Sequence, residues 1–342
     1  MNRITRLMYL AVITTGFIAP TVGATAESAH EPLTLLKTTH LPGIEGDFNV
    51  FAVDLAHNRL FVSADRHGTI ELFNLKTGEH LKTIGGAKEP HMLAYVAPSN
   101  ELWIGDAGTS SIVILDGADF HETGRISLPT APTAGLYIAP SGTLYIQDDG
   151  VDSKLPYSTI NVIDVHTRKI TGSVRIDDDN LESMAVDPAT QRLFVNVRTT
   201  KKVASVDLST KSISQIWTVP DLNLNTPMAL DGTKNRLFVA GRKPGKFYVL
   251  NSSTGAVVFE SPCINIADYM VWDPQLKRIY VTGTQGISIF HQIDGDHYEK
   301  VAEFPTNGGK ISTYVPALQQ FYVVHPKTDV DAAGLEVFHV NQ

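Results

Sequence analysis

Arg192-Leu-Phe-Val195 and Arg236-Leu-Phe-Val239 are the same tetrapeptide, 44 residues apart. The pattern, a polar residue and then an aromatic held between two apolar residues, returns as Arg59-Leu-Phe-Val62, Glu101-Leu-Trp-Ile104, Thr143-Leu-Tyr-Ile146, Arg278-Ile-Tyr-Val281 and Gln320-Phe-Tyr-Val323. Successive steps along the chain are 42, 42, 49, 44, 42 and 42 residues. Branched and aromatic side chains fit a pleated, buried surface, so each copy reads as a strand. Seven copies at a period of ~40–45 residues match the four-stranded blade of a propeller. The expected fold is all-β, a seven-bladed β-propeller.

Each copy has the same internal order. About nine residues before the tetrapeptide lies an apolar strand ending in a turn, as in Phe51-Ala-Val-Asp54 or Met184-Ala-Val-Asp187. This is the innermost strand, A, and the tetrapeptide is strand B. An alternating strand C follows, such as Thr69-Ile-Glu-Leu-Phe73, and a turn such as Lys76-Thr-Gly78 leads to strand D. The last copy stops at Gln342 with no room for its strand D, while Leu33-Thr-Leu-Leu-Lys37 precedes the first strand A without a blade of its own. An open ring leaves unpaired strand edges, so this N-terminal strand is expected to complete the last blade and close the ring. The longer third step places extra residues, Asp148 to Pro156, in a B–C loop.

Residues 1–26 have the form of a secretory signal: Arg3 and Arg6, an apolar stretch from Leu7 to Ala19, and Ala24-Thr25-Ala26 as a small-x-small cleavage site. The apolar stretch of 13 is short of the ~20 residues a spanning helix needs, and no later segment reaches that length. The expectation is a periplasmic or secreted monomer, a single domain over residues 27–342 without a transmembrane segment. Removing Arg3 and Arg6 leaves 28 − 2 = 26 basic residues against 36 acidic ones, a net charge of −10. That balance disfavours nucleic acid, whose binding depends on cationic groups releasing counterions. Cys263 is the only cysteine, which excludes an internal disulfide and a covalently attached haem.

The chain resembles the YVTN-repeat, YncE-like family of secreted bacterial seven-bladed propellers over essentially its whole mature length. Tyr280-Val-Thr-Gly283 differs by one residue from the tetrapeptide that names that family, and Phe51-Ala-Val-Asp54, Pro227-Met-Ala-Leu-Asp231 and Tyr314-Val-Pro-Ala-Leu318 are further family-like phrases. These motifs specify hairpins and an inner ring. Related propellers include lactonases, metal-dependent hydrolases and binding scaffolds, so the resemblance implies the architecture and leaves the ligand open.

In a propeller the D–A connections and B–C loops meet on one face around the central channel. By register, that face should carry Arg66, Glu182, Arg198, Arg242, Asp268 and Lys310, a mixed-charge rim suited to a small polar or zwitterionic molecule or to a protein partner. Three readings compete there. His67, His91 and His325 fall on blades one, two and seven, neighbours in a closed ring, and could hold a transition metal such as zinc or copper. Glu182, Asn225 and Asp268 start strands in blades four, five and six and offer oxygen donors suited to calcium, as in lactonase-type propellers. Alternatively the acids simply pair with Arg198 and Arg242, and the arginines with Lys310 could clamp an anion. Two functions follow: a binding module at the channel mouth, or a metal-dependent lactonase-like hydrolase on the same face. No Gly-x-Ser-x-Gly elbow, His-Glu-x-x-His helix, dinucleotide fingerprint or P-loop occurs.

Overall fold

The computed structural model describes residues 31–342; the signal sequence expected over residues 1–26 lies outside them. The chain forms seven four-stranded antiparallel sheets. Blades one to six are consecutive in sequence, each running A-B-C-D from the axis outward. Each strand A touches strand A of the next blade, and the circuit returns from blade seven (Ile311–Val315) to blade one (Phe51–Asp54). Among the described residues no helix is long and apolar enough to cross a membrane.

Alternation along strand B explains why three successive residues of the tetrapeptide are apolar. Leu60, Phe61 and Val62 are all fully buried. Leu60 and Val62 pack toward blade seven with Tyr322 and Leu335, whereas Phe61 points the other way, against Leu93 and Leu102 of blade two. Both faces of a blade are interior, so no polar alternation survives, and each fully buried Leu or Phe contributes about 1.5–3 kcal/mol. Trp103 is fully buried between blades two and three in the same way.

The A–B hairpins use two local solutions. In blades one, four, five and six, an aspartate ends strand A and its carboxylate accepts backbone N–H groups of the turn, as Asp187 does from Ala189 at 3.0 Å and Asp273 from Gln275 at 2.9 Å. In blades two, three and seven a short 3-10 turn containing proline replaces it: Ala97–Ser99, Ala139–Ser141 and Pro316–Leu318. Both end in a left-handed residue directly before strand B: Asn58, Asn100, Gly142, Gln191, Asn235, Lys277 and Gln319 have φ between 51° and 61°. That conformation turns the chain back within a few residues.

Leu33–Leu41 supplies strand D of blade seven, antiparallel to Ala333–Val340 from Leu33 opposite Val340 to Leu41 opposite Ala333. Leu33 and Leu41, both buried, enter cores on opposite sides of the blade. Between blades seven and one, Thr39 Oγ1 donates to the Gly78 carbonyl at 2.7 Å and the Tyr322 hydroxyl to the Leu75 carbonyl at 2.6 Å. The excess of the third repeat is a B–C loop containing one helical turn, Gly150–Ser153.

Candidate functional site at the channel mouth

The inner strands of blades two to six share an irregularity that the repeat pattern conceals. Each carries one extra residue near its start relative to strand B: between Pro90 and Met92, Pro132 and Ala134, Leu181 and Met184, Asn225 and Met228, and Ala267 and Tyr269. Such bulges bend a strand and re-aim its side chains. Here they fall at His91, Thr133, Glu182 and Ser183, Thr226 and Pro227, and Asp268, of which Glu182 and Asp268 carry ion pairs at the channel mouth.

Around that mouth charges alternate. Lys310 Nζ lies 2.8 Å from Asp47 and 3.2 Å from Asp268, and the other Asp268 oxygen lies 3.5 Å from Arg242 Nη2. Arg198 Nη1 forms an ion pair with Glu182 Oε1. On the opposite side His91 Nε2 is 3.8 Å from Asp65, whose other oxygen accepts the Arg66 backbone N–H at 2.7 Å. Three carboxylates, Asp47, Glu182 and Asp268, thus meet three cations, Arg198, Arg242 and Lys310, across blades four to seven and the segment leading to blade one, while Asp65 faces His91 of blade two and the Arg66 side chain is exposed.

Burial makes this rim electrostatically sensitive. Desolvation pushes the Glu182 carboxyl up to about 7; Arg198 opposes the rise, Asp268 adds to it and Arg242 opposes it. Asp65 is also raised, chiefly by burial. For Lys310, burial works against the charge, but Asp268 and Asp47 outweigh it and hold the ammonium above its ordinary value. The Tyr269 hydroxyl beside these acids is raised, first by burial and then by Asp268 and Glu182. A carboxyl poised near neutrality next to two guanidinium groups can exchange a proton when a charged ligand arrives.

Beneath the rim lies a cavity of about 170 Å³ lined by residues of blades one to six, among them Asn49, His91, Leu136, Met184, Met228, Tyr269 and Met270.

The structure brings Glu182, Arg198, Arg242, Asp268 and Lys310 of the expected rim together, leaves the Arg66 side chain exposed, and separates the three histidines. His67 is exposed on the B–C turn of blade one. His325 is fully buried, its Nδ1 3.1 Å from the Pro326 carbonyl and its Nε2 without a hydrogen-bond partner. Its ring lies over Gly334, where an added Cβ would come within 2.7 Å of Nε2, and burial lowers its pKa. Only His91 of the three lines the cavity. Among the described residues one group brings three ligand atoms within 4.8 Å of one another: Asp116, Asp119 and His121, on the C–D turn of blade two. Asp116 accepts the Ala118 N–H and Asp119 accepts the His121 N–H, which is ordinary turn chemistry.

In the oxygen set, Asn225 is fully buried and its amide donates to Asn196 Oδ1 and the Lys202 carbonyl, both at 2.9 Å, tying blades four and five together. Glu182 and Asp268 are engaged by their cations. Cys263 offers no activated nucleophile, because burial pushes its thiol up to about 12.

No family model matches the chain, and no curated protein sequence matches it. Among solved structures it is similar to a chain of the mitotic checkpoint complex, at 15% identity and a TM-score of 0.75, over 98% of this chain and 100% of that one. It is likewise similar to a chain of Kuenenia stuttgartiensis hydrazine synthase, at 15% identity and a TM-score of 0.70, over 86% of this chain and 100% of that one. At such identities the likeness shows a shared propeller fold.

Proposed function

We propose that the protein is an exported binding module that takes a small polar or zwitterionic ligand, or a polar segment of a partner protein, at the channel mouth. The observation that carries this reading is the alternation of Asp47, Lys310, Asp268 and Arg242 with the Glu182–Arg198 pair beside it. A ligand carrying both signs can replace these internal pairings one for one, with Arg198 and Arg242 taking a carboxylate or phosphate in forked geometry and Asp268 or Asp47 taking an ammonium. The reading places the protein beside the YVTN-repeat, YncE-like propellers, which its repeat phrases resemble. Export rests on the residue pattern of positions 1–26.

The lactonase-like alternative needs Glu182, Asn225 and Asp268 to face one cation with free oxygens. Glu182 and Asp268 are already engaged by arginine or lysine, and of Asn225 the amide nitrogen is tied into the sheet while its Oδ1 stays unpaired, so it is the two acids that favour binding over hydrolysis. Thermal-shift and calorimetric titration with free amino acids, short peptides and dicarboxylates tests the proposal. A zwitterionic hit should be lost in both Arg198→Gln and Arg242→Gln variants. Binding unaffected by both substitutions would sink the channel-mouth assignment.

A further inference from the structure

Arg198 and Arg242 are the rim cations with donors to spare. A guanidinium carries five N–H donors. Among the described residues the Arg198 side chain pairs with Glu182 alone, and the Arg242 side chain with Asp268 alone at 3.5 Å. Both are mostly buried, 24% and 18% exposed, so few of the remaining donors meet bulk water. Arg242 also acts electrostatically on the Glu182 carboxyl, so both guanidinium groups stand beside that one acid. Two forked cations beside one carboxylate form an anion subsite that is already filled from within.

Glu182 is the rim acid built to leave. It lies in the bulge between Leu181 and Met184, outside the regular ladder, where a side chain can swing without breaking strand hydrogen bonds. Asp268 is shared by Lys310 at 3.2 Å and Arg242, and Asp47, 38% exposed, keeps both Lys310 at 2.8 Å and contact with water. Glu182 is 23% exposed and has one partner. Burial raises its carboxyl to about 7, opposed by Arg198, assisted by Asp268 and opposed again by Arg242. The Tyr269 hydroxyl is raised in turn, first by burial and then by Asp268 and Glu182. The remaining acid of the mouth, Asp65, faces His91 at 3.8 Å. Drawn off Arg198, Glu182 keeps its burial and the Asp268 charge but loses its main opposition, which favours the protonated form at neutral pH.

We propose that Glu182 is an internal stand-in for the ligand's carboxylate: it holds Arg198 until a carboxylate ligand forks onto Arg198 and Arg242, and as it leaves it takes one proton from solvent. Resting on the channel mouth as the binding site, this makes ligand capture a proton-coupled exchange. One carboxylate arrives with its charge, one gives its charge up to a proton, and the two guanidinium groups face the same charge before and after. Affinity for a carboxylate is then highest below pH 7, where Glu182 already carries the proton, and falls as pH rises above that value.

The test uses two probes whose carboxylates stay ionised between pH 6.5 and 8.5: L-glutamate for a free amino acid and N-acetyl-trialanine for a peptide C-terminus. Calorimetric titration of the wild type with the probe that fits should give an affinity about fivefold or more weaker at pH 8.5 than at pH 6.5. In buffers of different ionisation heat at pH 7.5 it should show uptake of about half a proton or more per ligand. Glu182→Gln, which keeps the side chain's size and has no charge to give up, should bind that probe with one affinity across the range, matching or exceeding the wild type at pH 6.5, and take up no proton. A thermal melt confirms that the variant is folded. Binding by the wild type that ignores pH, or a pH dependence that persists in Glu182→Gln, overturns the stand-in role while leaving the channel mouth as the site. Loss of binding in the folded glutamine variant overturns it as well. No binding of either probe by either protein removes the channel-mouth reading and this role with it.

Discussion

Lys310 Nζ lies 3.2 Å from Asp268 and so joins blade seven to blade six; its second partner, Asp47 at 2.8 Å, carries the link into the segment leading to blade one. One ammonium therefore spans the part of the ring where the first and last blades meet. Replacing Lys310 with Ala leaves the mostly buried Asp268 and the more exposed Asp47 without their shared ammonium, and should cost about 1–3 kcal/mol at pH 8. Urea unfolding at pH 8 checks this, and Lys310→Met, which keeps most of the side chain's volume, should lose about as much as Lys310→Ala; a methionine variant as stable as the wild type would mean that the lysine acts through packing alone.

Glu182 and Glu336 each contribute a pH-dependent part of the stability. Burial pushes both carboxyls up to about 7 from an ordinary 4.5, with Asp331 adding to the rise at Glu336. Between those two values the folded chain holds protons that the unfolded chain has released. Stability from these groups is therefore fully present below pH 4.5, falls as pH rises toward 7 and levels off above it. Each contributes at most ~3 kcal/mol of that change. Glu336 gives the cleaner test, since its Oε2 has no hydrogen-bond partner and no basic group contributes to its shift. Glu336→Gln should match the wild type near pH 4.5 and exceed it at pH 8 in urea melts; parallel curves would show that Glu336 ionises freely in the fold.

The N-terminal strand closes the ring. Deleting Glu31 to His40 removes all of the ladder to Ala333–Val340 but the Leu41–Ala333 pair, together with the buried Leu33. The expected loss is on the order of several kcal/mol, because hydrogen bonds and apolar contacts disappear together. A thermal melt should show a markedly lower midpoint, and a truncated chain melting with the untruncated one would contradict the closure.

Arg59 clamps blade one to blade two on the opposite face from the rim. Its Nε donates to Asp54 at 2.8 Å, and its two terminal nitrogens reach the Gly117 carbonyl and Asn100 Oδ1, the latter at 3.0 Å. The guanidinium also lies 5.3 Å from the Tyr95 ring centroid. Arg59→Ala should lower stability by about 2–3 kcal/mol, and Arg59→Lys should recover less than half, because lysine cannot fork to three partners. Ligand binding at the rim should be unchanged in both variants, which calorimetry with any rim ligand would check.

The architecture was legible in the chain because a propeller blade is built from local hairpins. The spacing of Arg59-Leu-Phe-Val62 and its six counterparts, the turn residues before them and the unpaired segment at Leu33 all report on contacts within one blade or on a missing strand. Strand periodicity and turn conformation depend on neighbouring residues, so sequence alone determined the number of blades, their internal order and the closure. The site was legible only in part. Register placed Glu182, Arg198, Arg242, Asp268 and Lys310 on one face, but which charges pair was decided by the ring, which brings Asp47 to Lys310 across 263 positions (310 − 47). The same register grouped His67, His91 and His325, and the structure separates them because His325 turns inward over Gly334 while His67 stays on an exposed turn. The bulges at His91, Glu182 and Asp268 have no signature of their own, since a one-residue insertion near the start of a strand looks like a shift in the preceding loop. They re-aim individual side chains by a single pleat, and only the assembled ring determines what those side chains then meet.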